Sequence, residues 1–217
     1  MNRKKRKESS ARWARFAKEI VGKAGVIDES TYTVLVKAFA AVPRVQFIEE
    51  AFNLRAHEDV ALPIGFGQTI SKPSTVARML ALIGIGPGTK VLEIGCGSGY
   101  CSAVMSSAMA SVYAVEYVGL LAQKTRRKLD KLGFHNILVR SGDGSRGWKE
   151  HAPYDAIVVS AAFDLVTPEL LSQLKDDGGK LVAPLKRDDA QVLTLYEKTA
   201  GKLSVFELEP CHFVEAA

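Results

Sequence analysis

The sequence is short of the residues that mark a disulfide scaffold, a metal centre or a membrane protein. It has three cysteines, Cys96, Cys101 and Cys211. The number is odd and no two form a CxxC pair, so no disulfide framework is expected and a reducing, cytoplasmic setting is. Its four histidines, His57, His135, His151 and His212, are scattered without the spacing of zinc ligands, and no metal is expected. No apolar run approaches the roughly 18 residues of a membrane span. The N-terminus has no apolar stretch of the secretory kind, so neither export nor a membrane partner is expected.

Basic charge is scarce outside the N-terminus. The net charge is +5, but Arg3, Lys4, Lys5, Arg6 and Lys7, less Glu8, leave +4 in the first ten residues and only +1 in the other 207. A basic, flexible, solubilising tail over 1–10 is therefore expected. A nucleic-acid partner is not, unless that tail supplies the contact. The remaining 11–217 suffice for one domain with a substantial core, expected to be monomeric.

Within that domain the residue pattern changes at about residue 88. Trp13, Phe16, Ala17, Ile20 and Val21 fall at helical spacing, predicting a helix over 11–23. A second helix is predicted from Asp28–Ser30 to Ala41, ended by Pro43, and a third short helical piece over 45–57. Residues 60–73, rich in Gly, Pro and β-branched side chains, predict irregular extended structure before a helix from Pro73 to about Ile83. From Lys90 onward, strands at 90–94, 111–116, 136–140, 154–160 and 180–184 alternate with helices near 100–108, 119–132 and 168–174. Two alternating segments, 190–197 and 203–209, predict antiparallel strands at the end. The expected fold is an α/β, doubly wound, mostly parallel seven-stranded sheet of Rossmann-like type, with antiparallel C-terminal strands. Residues 11–88 form its N-terminal helical and substrate-loop section, and 89–217 its cofactor-binding sheet.

In such a sheet the ligand sits beyond the carboxyl ends of the strands. The first strand–helix loop is Gly95-Cys96-Gly97-Ser98-Gly99. This GxGxG is too tight for the dinucleotide GxGxxG and lacks the Lys-Ser/Thr of a phosphate-binding P-loop. Glu116, ending the second strand, is placed to accept hydrogen bonds from ribose hydroxyls. Asp143-Gly144, after the third, could meet an adenine amino group. Their plainer readings are a solvated strand end and an ordinary turn. Together the three features point to an adenosine site, and the lack of an Arg at a pyrophosphate position favours the sulfonium cofactor S-adenosyl-L-methionine.

From about Pro43 to Phe213 the chain resembles the protein-L-isoaspartate O-methyltransferases. The resemblance rests on Val42-Pro43-Arg44, LPIGFGQTISKP at 62–73, VLEIGCGSGY at 91–100, GDGSRGW at 142–148, APYDAIVVSAA at 152–162 and LLSQLKDDGGKLVAP at 170–184. It implies transfer of a methyl group from S-adenosyl-L-methionine to the free α-carboxylate of L-isoaspartyl residues in damaged proteins, the ester then closing to a succinimide. Ser71 is the implied active-site hydroxyl, and Gln68, Thr69 and Ile70 wall in the cofactor's methionine end. Ile94 with Gly95, Gly97 and Gly99 meets its amino-acid portion, Glu116 and Tyr117 its ribose, and Asp143 and Gly144 its adenine. Taken on its own, Ser71 could equally cap the helix starting near Pro73.

The chain departs from the family pattern at several positions. Phe66 stands where many bacterial members have His, and Lys72 where they have Gln; Lys72 could help hold an anionic substrate. Ser160 replaces a common Thr. Residues 163–167 (FDLVT) are unusual and expected to line the substrate mouth. Pro184-Leu185-Lys186 replaces Pro-Val-Gly, and the chain ends Phe213-Val214-Glu215-Ala216-Ala217 where Phe-Val-Pro-Leu is typical. Two other functions compete: a methyltransferase of this fold with another acceptor, such as a small molecule or RNA, and a non-catalytic cofactor-binding protein.

Overall fold

A computed structural model describes residues 3–26 and 28–216. Helix α1 (Arg3–Lys23) begins well before the apolar spacing does. Lys and Arg are good helix formers, so the amphipathic segment propagates N-terminally through them. Of the expected tail, residues 1 and 2 lie outside the described residues, as does Ala217 at the other end. Trp13, Phe16, Ala17, Ile20 and Val21 are all buried. Helix α2 (Glu29–Ala41) is capped by Asp28, whose carboxylate accepts from Thr31 N at 2.7 Å. Two 3-10 turns, Arg44–Gln46 and Glu50–Arg55, occupy the predicted third helical piece.

The stretch expected to be irregular is a hairpin. Strands β1 (Leu62–Gly65) and β2 (Gln68–Ile70) pair antiparallel. Gly65, Phe66 and Gly67 all carry positive φ at its tip. Helix α3 (Pro73–Leu82) follows.

The remaining elements alternate: β3 (Lys90–Ile94), α4 (Tyr100–Ser107), β4 (Ser111–Glu116), α5 (Gly119–Leu132), β5 (Ile137–Ser141), β6 (Ala156–Val159), α6 (Pro168–Ser172), β7 (Lys180–Arg187), β8 (Ala190–Thr199) and β9 (Lys202–Cys211). The sheet order is β5-β4-β3-β6-β7-β8-β9, parallel through β7 and antiparallel beyond. This is the expected doubly wound, mostly parallel seven-stranded sheet. β7 runs three residues past its predicted end at Pro184. A proline is tolerated there because its nitrogen lies on the side where β6 has already ended, the side on which Lys186 N reaches the loop residue Phe163.

Burial explains why the central strands are apolar throughout. Val91, Val112, Ala156 and Val182 face one core with α1–α5, while Leu92, Ile94, Val115 and Ile157 face a second with α6. Side chains alternate between these faces, so Glu93 projects into the first core and is fully buried.

Candidate active site

The cavity opens where the parallel strands end, as the fold requires. Its volume is about 580 Å³, within the ordinary range for small-molecule sites. Gln68, Thr69, Ser71, Ile94, Gly95, Gly97, Glu116, Tyr117, Asp143 and Gly144 all line it. These residues span positions 68–144, yet one sheet edge and one hairpin bring them together.

The glycine loop is shaped by close approach. Gly95 N donates to Val115 O at 2.8 Å, and both Gly95 and Gly97 have positive φ. Glu116 is nearly buried. Its Oε2 accepts from Gly97 N and its Oε1 from Val118 N, both at 2.9 Å. Two backbone amides therefore fix the carboxylate and leave a lone pair on each oxygen towards the cavity. Asp143 accepts from Ser145 N at 2.9 Å and Ser145 Oγ at 2.7 Å. The Ser145 hydroxyl, then its amide, hold the Asp143 carboxyl below its ordinary range. At Gly144 a Cβ would lie 2.3 Å from Ile94 Cγ2, so the chain passes directly over the β3 end there.

Two of the expected residues stand outside this lining. Ile70 does not line the cavity but faces inward, nearly buried, to a small hollow behind the glycine loop. Gly99 lies on the far side of the loop, where an added Cβ would meet Thr125 Cγ2 at 2.8 Å and Leu129 Cδ1 at 3.2 Å. Its left-handed φ starts α4, and its bare backbone lets α5 pack close. Lys72 is exposed and stands outside the lining.

Ser71 resolves differently from its plainer reading. The residue capping α3 is Lys72, without a side-chain bond, and the amide of Ser74 is satisfied by Asp59 Oδ1 at 2.9 Å. Among the described residues no hydrogen bond engages the Ser71 hydroxyl. Its carbonyl accepts from Arg44 Nη2 at 3.2 Å. The same guanidinium donates to Val60 O at 2.6 Å and Glu58 O at 3.1 Å. Arg44, fully buried, thus moors the segment that presents Ser71.

Sequence reasoning missed Glu93. Ser102 Oγ donates to its Oε2, and Ser160 Oγ, which lines the cavity, donates to Oε1 at 3.3 Å. Burial pushes the Glu93 carboxyl up to about 7, opposed by hydrogen bonds from Ser102, Cys101 and Ser160. The available signal was a lone carboxylate inside an otherwise apolar strand. Burial also pushes the Cys96 and Cys101 thiols well up, making them poor nucleophiles. The segment 163–167 does reach the cavity, through Phe163, Asp164, Leu165 and Thr167. It is joined by Lys186 and by the last described residues of the chain, positions too distant in sequence for spacing to connect.

This sheet with its glycine loop, carboxylate-ended β4 and open cavity defines a Rossmann-like methyltransferase. Residues 19–217 match the profile of the protein-L-isoaspartate(D-aspartate) O-methyltransferases. Curated relatives named protein-L-isoaspartate O-methyltransferase are similar across 88% of this chain and 88% of theirs. The Erwinia tasmaniensis protein is 45% identical and the Cronobacter sakazakii protein 44%. A solved protein-L-isoaspartate O-methyltransferase superposes with a TM-score of 0.85 at 32% identity, over 94% of this chain and 66% of that one. A Plasmodium falciparum protein assigned to the same enzyme type, crystallised with S-adenosyl-L-homocysteine, gives 0.75 at 25% identity over 92% and 97%. The chain belongs to the protein-L-isoaspartate(D-aspartate) O-methyltransferase family.

Proposed function

We propose that this chain methylates the free α-carboxylate of L-isoaspartyl residues in damaged proteins, using S-adenosyl-L-methionine, and that the ester goes on to a succinimide. The observation that carries the reading is the cavity itself, which joins a carboxylate-ended adenosine site to an unengaged Ser71 hydroxyl. When bound, S-adenosyl-L-methionine supplies a methyl group on a sulfonium cation.

The residues present fit that cofactor. Glu116 is preset by two amides to accept from ribose hydroxyls, with Tyr117 beside it. Gly95 and Gly97 leave bare backbone for the amino-acid portion, next to Ile94, Gln68 and Thr69. Asp143 and Gly144 flank the adenine end. On the acceptor side a carboxylate is already ionised near neutral pH, so no strong base is needed. Ser71 donates a hydrogen bond to one carboxylate oxygen and turns the other towards the methyl donor; alignment of this kind supplies much of the rate. Phe163 and Phe213 give that end of the cavity apolar surface, and exclusion of water favours a reaction in which charge is neutralised.

Among the described residues no helix is long and apolar enough to cross a membrane. The proposed setting is the cytoplasm, with the chain acting as a monomer and damaged proteins and peptides as its partners. The basic segment 1–10 precedes the family match and takes no part in the chemistry.

The test offers purified protein labelled S-adenosyl-L-methionine and two peptides differing only in Asp versus L-isoAsp. Base-labile label on the isoAsp peptide alone is the expected result. Cofactor binding without transfer to either peptide would sink the reading. Ser71→Ala should depress turnover while cofactor affinity holds; a collapse of affinity removes the role assigned to Ser71.

A further inference from the structure

Three segments meet on one rim of the cavity: the loop after β6, the end of β7 and the last described residues. The loop is stitched to β7 by Phe163 N donating to Pro184 O at 3.0 Å and Lys186 N donating to Phe163 O at 2.9 Å. It is stitched to the C-terminal segment by Ala162 N donating to Val214 O at 2.8 Å and Ala216 N donating to Ala162 O at 2.9 Å. Behind them Gln191 clamps Phe213, accepting from its amide at 2.6 Å and donating to its carbonyl at 3.0 Å. The outermost rim residues, Asp164, Leu165, Glu215 and Ala216, are exposed.

The side chain that spans it is Lys186. Its Nζ lies 3.3 Å from Asp164 Oδ1 on the loop and 3.0 Å from Glu215 Oε2 on the C-terminal segment. Two carboxylates from segments more than 50 residues apart thus converge on one ammonium from a third. All three residues line the cavity. Exposed ion pairs add little to global stability, but two in series tie together the exposed outer residues of two segments whose inner residues, Ala162, Phe163, Val166 and Phe213, are seated in the cores. The ammonium is already engaged by both carboxylates, so it is not a free anchor for a substrate anion. The rim also lies across the sheet from Glu116 and Asp143, beyond β6 and β7, while the adenosine side lies beyond β3, β4 and β5.

We infer that Lys186 is a specificity-determining positioning residue: by bridging Asp164 and Glu215 it holds loop 163–167 and segment 213–216 as one wall, and so sets affinity for the acceptor peptide and not for the cofactor. The inference rests on the proposed function in that the acceptor enters at this rim.

Lys186→Met keeps the aliphatic stem and removes the charge; Lys186→Arg keeps the charge. Hydrogen exchange at the amides of Ala162, Phe163 and Ala216 should quicken in the Met variant and return in the Arg variant. With the L-isoaspartyl peptide, KM should rise several-fold in the Met variant at unchanged cofactor KM and kcat. Added salt should raise the wild-type peptide KM towards the Met value and leave the variant flat. An unchanged exchange pattern with unchanged peptide KM overturns the inference, as does a parallel rise in cofactor KM. A wild type that transfers no methyl group to the isoaspartyl peptide overturns the acceptor reading. The exchange experiment alone then decides whether Lys186 holds the wall.

Discussion

Glu93→Gln tests the electrostatics beneath the site. The Glu93 carboxyl is wholly buried under the glycine loop, and burial lifts it from 4.5 to about 7. Below pH 4.5 the folded and unfolded chains both carry the proton, and the group costs nothing. Between 4.5 and 7 the unfolded chain ionises first, so stability falls as pH rises; above 7 the penalty is complete. A shift of that size is worth about 3 kcal/mol at 1.36 kcal/mol per pH unit. Full burial leaves no solvent screening to discount it. Glutamine keeps the volume, retains a carbonyl for one of the two serine hydroxyls and donates to the other, but never ionises. Against wild type, the variant should hold a constant offset near pH 4.5 and gain about 3 kcal/mol on it by pH 8.5. For a chain of this length that is about 6–12 °C in Tm. Urea titrations at stepped pH measure it. A difference between variant and wild type that does not change with pH would falsify the reasoning.

Gly144→Ala forces a methyl against the stiff, β-branched Ile94. It should cost about 1–3 kcal/mol, measured by urea denaturation, and weaken S-adenosyl-L-homocysteine binding with little change in peptide KM. Glu116→Gln turns an amide N–H towards either Gly97 N or Val118 N and removes a charged acceptor. A loss of about 2 kcal/mol, roughly 30-fold in Kd for S-adenosyl-L-homocysteine, is expected by calorimetry. Arg44→Met leaves the carbonyls of Glu58, Val60 and Ser71 without their donor. Stability should fall by about 3 kcal/mol, and kcat should drop more than the cofactor affinity; equal losses in both would show that the mooring acts on the whole site.

Much of the fold was legible because periodicity and burial are the same fact seen twice. The strands at 90–94 and 111–116 are buried on both faces, and their mostly apolar sequences, Val91, Leu92 and Ile94 in one and Val112 to Val115 in the other, say so. The hairpin at 62–70 was not legible, since its strands have four and three residues, one contains Pro63, and Phe66 takes a positive φ that its side chain does not advertise. The site was legible where one residue carries one constraint. Glu116 ends a strand at the cavity, and Gly144 passes over Ile94. It failed where a motif was treated as a unit. Gly95, Gly97 and Gly99 share a spacing, but the turn sends the third towards Thr125 and Leu129 and away from the ligand side. Lys186, Asp164 and Glu215 were each visible as oddities. Their meeting depends on the loop after β6 lying between the end of β7 and the C-terminal segment, which spacing does not encode.

The arrangement at Ser71 shows why a hydroxyl at a helix start is not always a cap. A serine ahead of a helix ordinarily accepts from an exposed amide of the first turn, and that bond would hold its oxygen against α3. Here Asp59, fifteen residues before Ser74, satisfies Ser74 N, and Arg44 takes the Ser71 carbonyl. The backbone at Ser71 is therefore fixed from behind by a buried guanidinium and its neighbour by a borrowed carboxylate. Neither bond uses the hydroxyl. A group that must meet a substrate anion has to be rigid in position yet unspent in hydrogen bonding, and these two requirements conflict whenever the side chain caps its own helix. Assigning the capping to Asp59 and the mooring to Arg44 removes the conflict. It also accounts for Val42-Pro43-Arg44 and the 62–73 segment belonging to one working unit, although Arg44 and Ser71 lie 27 positions apart.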